Sequence, residues 1–145
     1  MTPGESILLH ASCIAIGGRG VLISGPSGSG KSDLALRLID RGATLVSDDY
    51  VLVHAKGGRL VASAPERIAG KIEIRGLGLI HFPALDDVPV CLLADLERPI
   101  ERLPEPGECT IVAGLSLPVV SIRALEASAP IKLEMALIEF GLKIL

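Results

Sequence analysis

One eight-residue segment, Gly25-Pro26-Ser27-Gly28-Ser29-Gly30-Lys31-Ser32, constrains this 145-residue chain more than any other. It matches the spacing G-x-x-x-x-G-K-[ST]. Glycines at those positions let the backbone curl so that its N–H groups point inward, at phosphate oxygens. Such a loop works only between a strand and a helix, because the helix N-terminus adds its positive end to the cradle. The sequence supplies both flanks. GVLISG (20–25) reads as an apolar strand. Residues 31–41 read as a helix, with Leu34, Ala35, Leu38 and Ile39 on one face and Asp33, Arg37 and Asp40 on the other. Gly42 sits where a helix-ending glycine belongs. The expectation is an α/β fold whose phosphate loop, residues 25–32, holds a nucleotide or another polyphosphate.

The rest of the chain reads mostly as strands. ILLHASCIAI (7–16) is a strand joined to 20–25 through Gly17-Gly18-Arg19. ATLVSDD (43–49) is a strand ending in two acids. YVLVHA and RLVASA flank Lys56-Gly57-Gly58 as a hairpin. KIEIRGLGLI (71–80) starts as a strand and breaks at Gly76 and Gly78. PVCLLADL (89–96), CTIVAGL and LPVVSI are further strands, and ERLPEPGE (101–108) is a loop. A last helix spans 129–144, with Ser128 as its cap, Pro130 in its first turn and a wet stripe of Lys132, Ala136, Glu139 and Lys143. No repeat or linker divides the chain, so residues 1–145 are expected to form one domain.

Composition removes several function classes. With three aromatic residues (Tyr50, Phe82, Phe140), the core must be built from Leu, Ile, Val and Ala. A net charge of −3 and the scarcity of stacking platforms argue against nucleic acid. No apolar run approaches 18 residues, which argues against a membrane span. The N-terminus lacks a basic region and a cleavage site, so no secretory signal is expected. Cys13, Cys91 and Cys109 have no metal-ligand spacing; each lies in an apolar run and reads as a reduced, buried thiol of a cytoplasmic protein.

Two further stretches carry chemistry. Asp48 and Asp49 end a strand close behind the loop, where carboxylates can hold Mg²⁺ or take a proton from a hydroxyl. Their neighbouring charges repel, which favours proton uptake by one of them. Adjacent strand residues point opposite ways, and the sequence does not separate the two acids. In IEIRGLGLI (72–80), Glu73 and Arg75 share one strand face, as a metal ligand and a phosphate clamp would beside a phosphate loop. Away from such a loop they would read as a surface ion pair.

The order His10, GVLISGPSGSGKSDLALRLIDRGATLVSDD, IEIRGLGLI and ERLPEPGE resembles the C-terminal catalytic domain of bacterial HPr kinase/phosphorylase. The fold implied is a P-loop kinase domain, of a type shared with phosphoenolpyruvate carboxykinase, built on a mixed, strand-rich sheet with few helices. The activity implied is transfer of a phosphoryl group from ATP, with Mg²⁺, to a serine of the phosphocarrier protein HPr, together with the reverse reaction driven by inorganic phosphate. By the resemblance, Gly25 to Ser32 bind ATP, with Lys31 on the transferred group and Ser32 on Mg²⁺. Glu73 is a second Mg²⁺ ligand. One of Asp48 and Asp49 is the base, with Asp49 favoured and Asp48 assisting. His10 and Arg102 match active-site positions, Arg102 as a clamp on transition-state charge. Family members assemble as hexamers, and a mean hydropathy of +0.53 suits an oligomer.

The sequence also departs from the family. By the resemblance the 145 residues correspond to the catalytic domain, and the usual member's N-terminal domain is not expected among them. Asp33 follows Gly30-Lys31-Ser32 where Glu is common. The family's basic stretch P-V-K-V-G-R, tied to the phosphorylase direction, corresponds here to Arg123-Ala124-Leu125-Glu126-Ala127-Ser128-Ala129-Pro130, which keeps only Arg123. Two other readings stay open: a phosphotransferase with a small-molecule acceptor, and a nucleotide-sensing module without turnover. The first lacks an arginine-rich lid-like insertion. The second gains from the altered basic stretch and loses from the presence of the whole candidate set.

Overall fold

A computed structural model describes residues 6–105 and 107–144. The central feature is a mixed sheet of nine strands. Five of them form the layer that carries the loop: β2 (Ala11–Ile16), β3 (Arg19–Ser24), β4 (Thr44–Ser47), β9 (Val88–Asp95) and β11 (Leu115–Ser121). β3 lies between β2, antiparallel, and β9, parallel. β4 pairs antiparallel with the outer side of β2. The remaining strands β1 (Ile7–Leu9), β5 (Val51–Lys56), β6 (Arg59–Ser63) and β10 (Cys109–Val112) fold over one face. β7 (Lys71–Ile74) and β8 (Gly78–His81) make a separate hairpin. Helices α1 (Lys31–Asp40) and α2 (Ala129–Phe140) cover the other face.

β9 is the strand on which the two halves of the sheet meet. One edge runs beside β3. On its other edge, Val88 and Pro89 pair antiparallel with β6, while Leu93 to Asp95 pair in parallel with β11. Gly20 lies against this crossing, since a Cβ there would stand 3.0 Å from the Pro89 carbonyl oxygen.

Strand alternation sorts the apolar residues into two cores. Ile14, Val21, Ile23, Leu92 and Ala94 face the helices and pack with Leu34, Leu38, Leu133 and Leu137. Cys13, Ala15, Leu22 and Val90 face the other way and pack with Val51, Val53, Leu60 and Leu117. The core is aliphatic, as the shortage of aromatics requires.

Several elements differ from their sequence-based expectations. The strand expected over 7–16 breaks at His10, because β1 pairs with β5 while β2 pairs with β3 and β4. The strand before the acids stops at Ser47. Residues 71–80 form a hairpin turning at Arg75-Gly76-Leu77. Helix α2 ends at Phe140 rather than 144, Ser128 makes no side-chain capping bond, and Ala136 is buried, not part of a wet stripe. Cys13 and Cys91 are buried as expected, but Cys109 is exposed, because it stands at the start of outer strand β10. Pro106, in the loop expected over 101–108, lies outside the described residues. No described helix is long and apolar enough to cross a membrane.

Candidate active site

Three elements meet at the carboxyl ends of β3 and β4. The first is the glycine-rich loop between β3 and α1. Gly28 and Gly30 have φ of 82° and 98°, values that side-chain-bearing residues avoid. Gly30 has a second reason to be glycine, since a Cβ there would stand 3.0 Å from the Ala124 Cβ. The loop wraps the Lys31 side chain, whose ammonium donates to the Gly25 carbonyl at 2.7 Å and the Pro26 carbonyl at 3.1 Å. Lys31 is only 4% exposed. No side chain caps the N-terminus of α1, which leaves first-turn N–H groups free to serve an anion. Ser29 places a buried hydroxyl with no partner among the described residues inside the same loop.

The second element is the turn after β4. Asp48 is nearly buried, and its Oδ1 accepts from the Ser32 hydroxyl at 2.7 Å and the Ser12 hydroxyl at 3.0 Å. Asp49 is about half exposed and adopts φ 66°, a left-handed conformation uncommon for a residue with a side chain. The Tyr50 N–H donates to the Asp48 carbonyl at 2.7 Å, so Asp49 is the centre of a tight positive-φ γ-turn. The Ser47 hydroxyl donates to the Tyr50 carbonyl and holds the turn from its far side. Asp49 Oδ1 stands 2.9 Å from His10 Nε2 and 3.9 Å from Lys31 Nζ. The His10 ring stacks on Tyr50, with centroids 4.9 Å apart, which fixes its orientation.

The third element is the β7–β8 hairpin, which brings Glu73 and Arg75 to the cleft. The cleft holds about 660 Å³ and is lined by Ser27, Gly28, Gly30, Lys31 and Ser32, by both aspartates, and by Glu73 and Arg75. Three stretches separated in sequence are thus brought to one place, and His10 joins them through Asp49. Arg102 is not among the lining residues; it lies in the exposed segment that follows β9. Ser12 and Tyr50 were not singled out in the sequence. A signal existed for Ser12: it is a polar residue inside an otherwise apolar strand, two positions after His10.

A larger groove of about 750 Å³ lies between the 98–109 segment, β11 and α2. It is the less chemical of the two. None of the candidate residues lines it, and its Arg98 is paired with Glu108 at 2.6 Å.

The chain has relatives among known proteins. The sequence model of the HPr Serine kinase C-terminal domain family matches residues 3–85. The chain belongs to that family. Among its relatives, the HPr kinase/phosphorylase of Clostridium tetani is 47% identical over 77 residues, which is 53% of this chain and 25% of the relative. The HPr kinase/phosphorylase of Limosilactobacillus reuteri is 35% identical over 127 residues, 79% of this chain and 40% of the relative. The chain therefore spans from a quarter to two fifths of those curated relatives. Among solved structures, the Hpr(Ser) kinase/phosphatase from Coxiella burnetii superposes with a TM-score of 0.78 at 30% identity, over 89% of this chain and 87% of that one. The mixed α/β architecture, with a strand-rich curled sheet and two described helices, is that of the HPr kinase fold. The family match ends before the 98–109 segment, β10, β11 and α2, whereas the structural likeness extends across most of the chain.

Proposed function

We propose that this chain is an ATP- and Mg²⁺-dependent protein serine kinase acting on an HPr-like phosphocarrier protein. The observation that carries the reading is the single cleft in which Lys31, Ser32, Asp48, Asp49, Glu73 and Arg75 meet, in a chain of the HPr kinase family.

The residues fit the absent groups. The start of α1, with Gly28, Gly30 and Lys31 on the cleft wall, offers backbone N–H donors to phosphate oxygens. Among the described residues no three His, Cys, Asp or Glu side chains gather into a protein-only metal cage. That suits Mg²⁺, which keeps waters and takes one or two protein oxygens beside substrate phosphates. Ser32 and Glu73 would hold it, and when bound it would neutralise charge on the terminal phosphates.

The chain's own residues would do the rest. Gly25 to Ser32 orient the polyphosphate, and the Lys31 ammonium exchanges its neutral carbonyl acceptors for anionic oxygens. Arg75, across the cleft, clamps the transferred group. Asp49 accepts the proton of the acceptor hydroxyl as oxygen attacks phosphorus in line with the leaving group. Its exposure suits contact with a protein substrate, whereas Asp48 faces inward to two hydroxyl donors and assists. His10 holds the Asp49 carboxylate on one side. Most of the rate comes from positioning and charge neutralisation.

Of the family's basic stretch only Arg123 remains, and it is exposed and 4.0 Å from Glu126. The forward direction is therefore the activity proposed; phosphate-driven reversal is expected to be weak. The exposed apolar face of α2, with Ile131, Met135 and Ile138, supports assembly of several copies, a hexamer by resemblance.

The test is transfer from γ-labelled ATP to a purified HPr-like protein, beside Lys31→Ala and Asp49→Asn. Label on a serine, lost in both variants, supports the kinase. The position of Arg102 outside the cleft favours a second reading, nucleotide binding without turnover. Tight ATP binding with no label on any acceptor would replace the first reading with it.

A further inference from the structure

We propose that Ser12 is a positioning residue that locks the two aspartates into different orientations, Asp48 inward and Asp49 toward the cleft. The proposal rests on the kinase reading above. Ser12 lies on β2 with no solvent exposure. A buried hydroxyl is expensive unless bonded, and this one is bonded twice. Its oxygen accepts the backbone N–H of Asp49 at 3.0 Å, and its proton goes to Asp48 Oδ1 at 3.0 Å. One side chain thus grips the backbone of one acid and the carboxylate of the other.

The grip matters because the turn is strained. A non-glycine residue at φ 66° in a γ-turn persists only where its surroundings over-determine it. Three bonds do so here: Tyr50 N–H to the Asp48 carbonyl, the Ser47 hydroxyl to the Tyr50 carbonyl, and the Asp49 N–H to the Ser12 hydroxyl oxygen. Only Ser12 also reaches a carboxylate. Ser32 donates to the same Asp48 oxygen, but Ser32 is the hydroxyl that would turn its lone pairs to a cation. Ser12 has no such second duty, so it keeps Asp48 aimed throughout a turnover. Without it, the Asp49 amide loses its acceptor, the turn relaxes, and the Asp49 carboxylate leaves its place beside His10 and Lys31.

The test compares wild type with Ser12→Ala and Ser12→Thr, using Mg-ATP and an HPr-like acceptor, with amide hydrogen exchange at Asp49 followed by NMR. The expected result for Ser12→Ala is a kcat lower by about tenfold or more, since misplacement by 1 Å costs on the order of a hundredfold. KM for ATP should stay within about twofold, because the lysine and loop are untouched. The Asp49 amide should exchange about tenfold faster or more, as its acceptor among the described residues is gone. Ser12→Thr, which keeps the hydroxyl, should recover most of both. Ser12→Cys, close to serine in volume, repeats the test should the alanine variant be unstable. Wild-type kcat in Ser12→Ala, unchanged exchange at Asp49, or a Thr variant as impaired as the Ala variant would each overturn the proposal. If wild-type protein binds nucleotide but labels no acceptor, the kinase reading fails, and amide exchange at Asp49 alone decides the clamp.

Discussion

The Ser32 hydroxyl reaches Asp48 Oδ1 across 2.7 Å, linking the first turn of α1 to the end of β4. This bond joins the phosphate-loop side of the cleft to its acidic side. Asp48→Asn keeps the shape but gives Ser32 a weaker acceptor. Phosphoryl transfer should fall by about a hundredfold or more, in the range seen when one preorganised polar contact is removed. Calorimetry with and without Mg²⁺ checks the cause. The metal-dependent part of nucleotide affinity should shrink, and metal-free binding should change little.

Asp49 sits at φ 66°, so glycine and alanine should behave differently there. Both remove the carboxylate and should lower single-turnover transfer by about 10²- to 10⁴-fold. Glycine adopts positive φ freely and alanine does not. Asp49→Gly should therefore be more stable than Asp49→Ala by about 1 kcal/mol. Urea denaturation of the two variants measures the difference. Equal midpoints would mean that the turn is not strained.

Arg19 and Gly141 close the end of α2. The Arg19 guanidinium donates to the Leu142 carbonyl at 2.7 Å and the Leu137 carbonyl at 3.2 Å. A Cβ on Gly141 would stand 2.5 Å from that Leu137 oxygen. Gly141→Ala should lose about 1–3 kcal/mol of stability, as overpacked sites do. The remaining folded protein should transfer phosphate at the wild-type rate, because the cleft lies elsewhere. A denaturation curve and a kinetic assay at low temperature separate the two effects.

Burial pushes the Cys13 thiol up to about 12 from its ordinary value of 9. Burial also raises Cys91, partly opposed by the positive charge of nearby Arg19. Below pH 9 both folded and unfolded chains keep the Cys13 proton, and its contribution is fully present. Between pH 9 and about 12 only the unfolded chain releases it, so stability falls with rising pH, by up to about 1.4 kcal/mol per unit. Cys13→Ala should have a shallower decline over that window in urea midpoints. In the native protein at neutral pH, a thiol reagent should label the exposed Cys109 and spare Cys13 and Cys91.

Much of the site was legible in the sequence because its parts are short and each spacing carries its own mechanism. The Gly25–Ser32 loop, the Asp48–Asp49 pair and the Glu73–Arg75 pair could be named before any coordinate, and the cleft brings them together. What escaped depends on distant partners. The break at His10 exists because β1 and β2 pair with different strands. Residues 129–140 are apolar nearly all round, so periodicity could not choose which face is buried. Packing against the sheet and α1 buries Leu133, Ala136 and Leu137 and exposes Ile131, Met135 and Ile138. Cys109 looked buried by its neighbours, yet it begins an outer strand. Ser12 stands out in its strand only as a polar residue; its partners come from the turn after β4, distant in sequence.

The division of β9 between the two halves of the sheet has a consequence for how the molecule comes apart. Its first residues are bonded to β6, its last to β11, and Val90 to Asp95 lie beside β3. The helix-side core and the strand-side core therefore have a common backbone. Neither can melt while the other stays intact, since separating either one pulls hydrogen bonds from the same eight residues. Heat or denaturant should meet one cooperative unit with a single transition. The glycine-rich loop is rooted one strand away from that seam, so its β3 side is tied to the same cooperative unit.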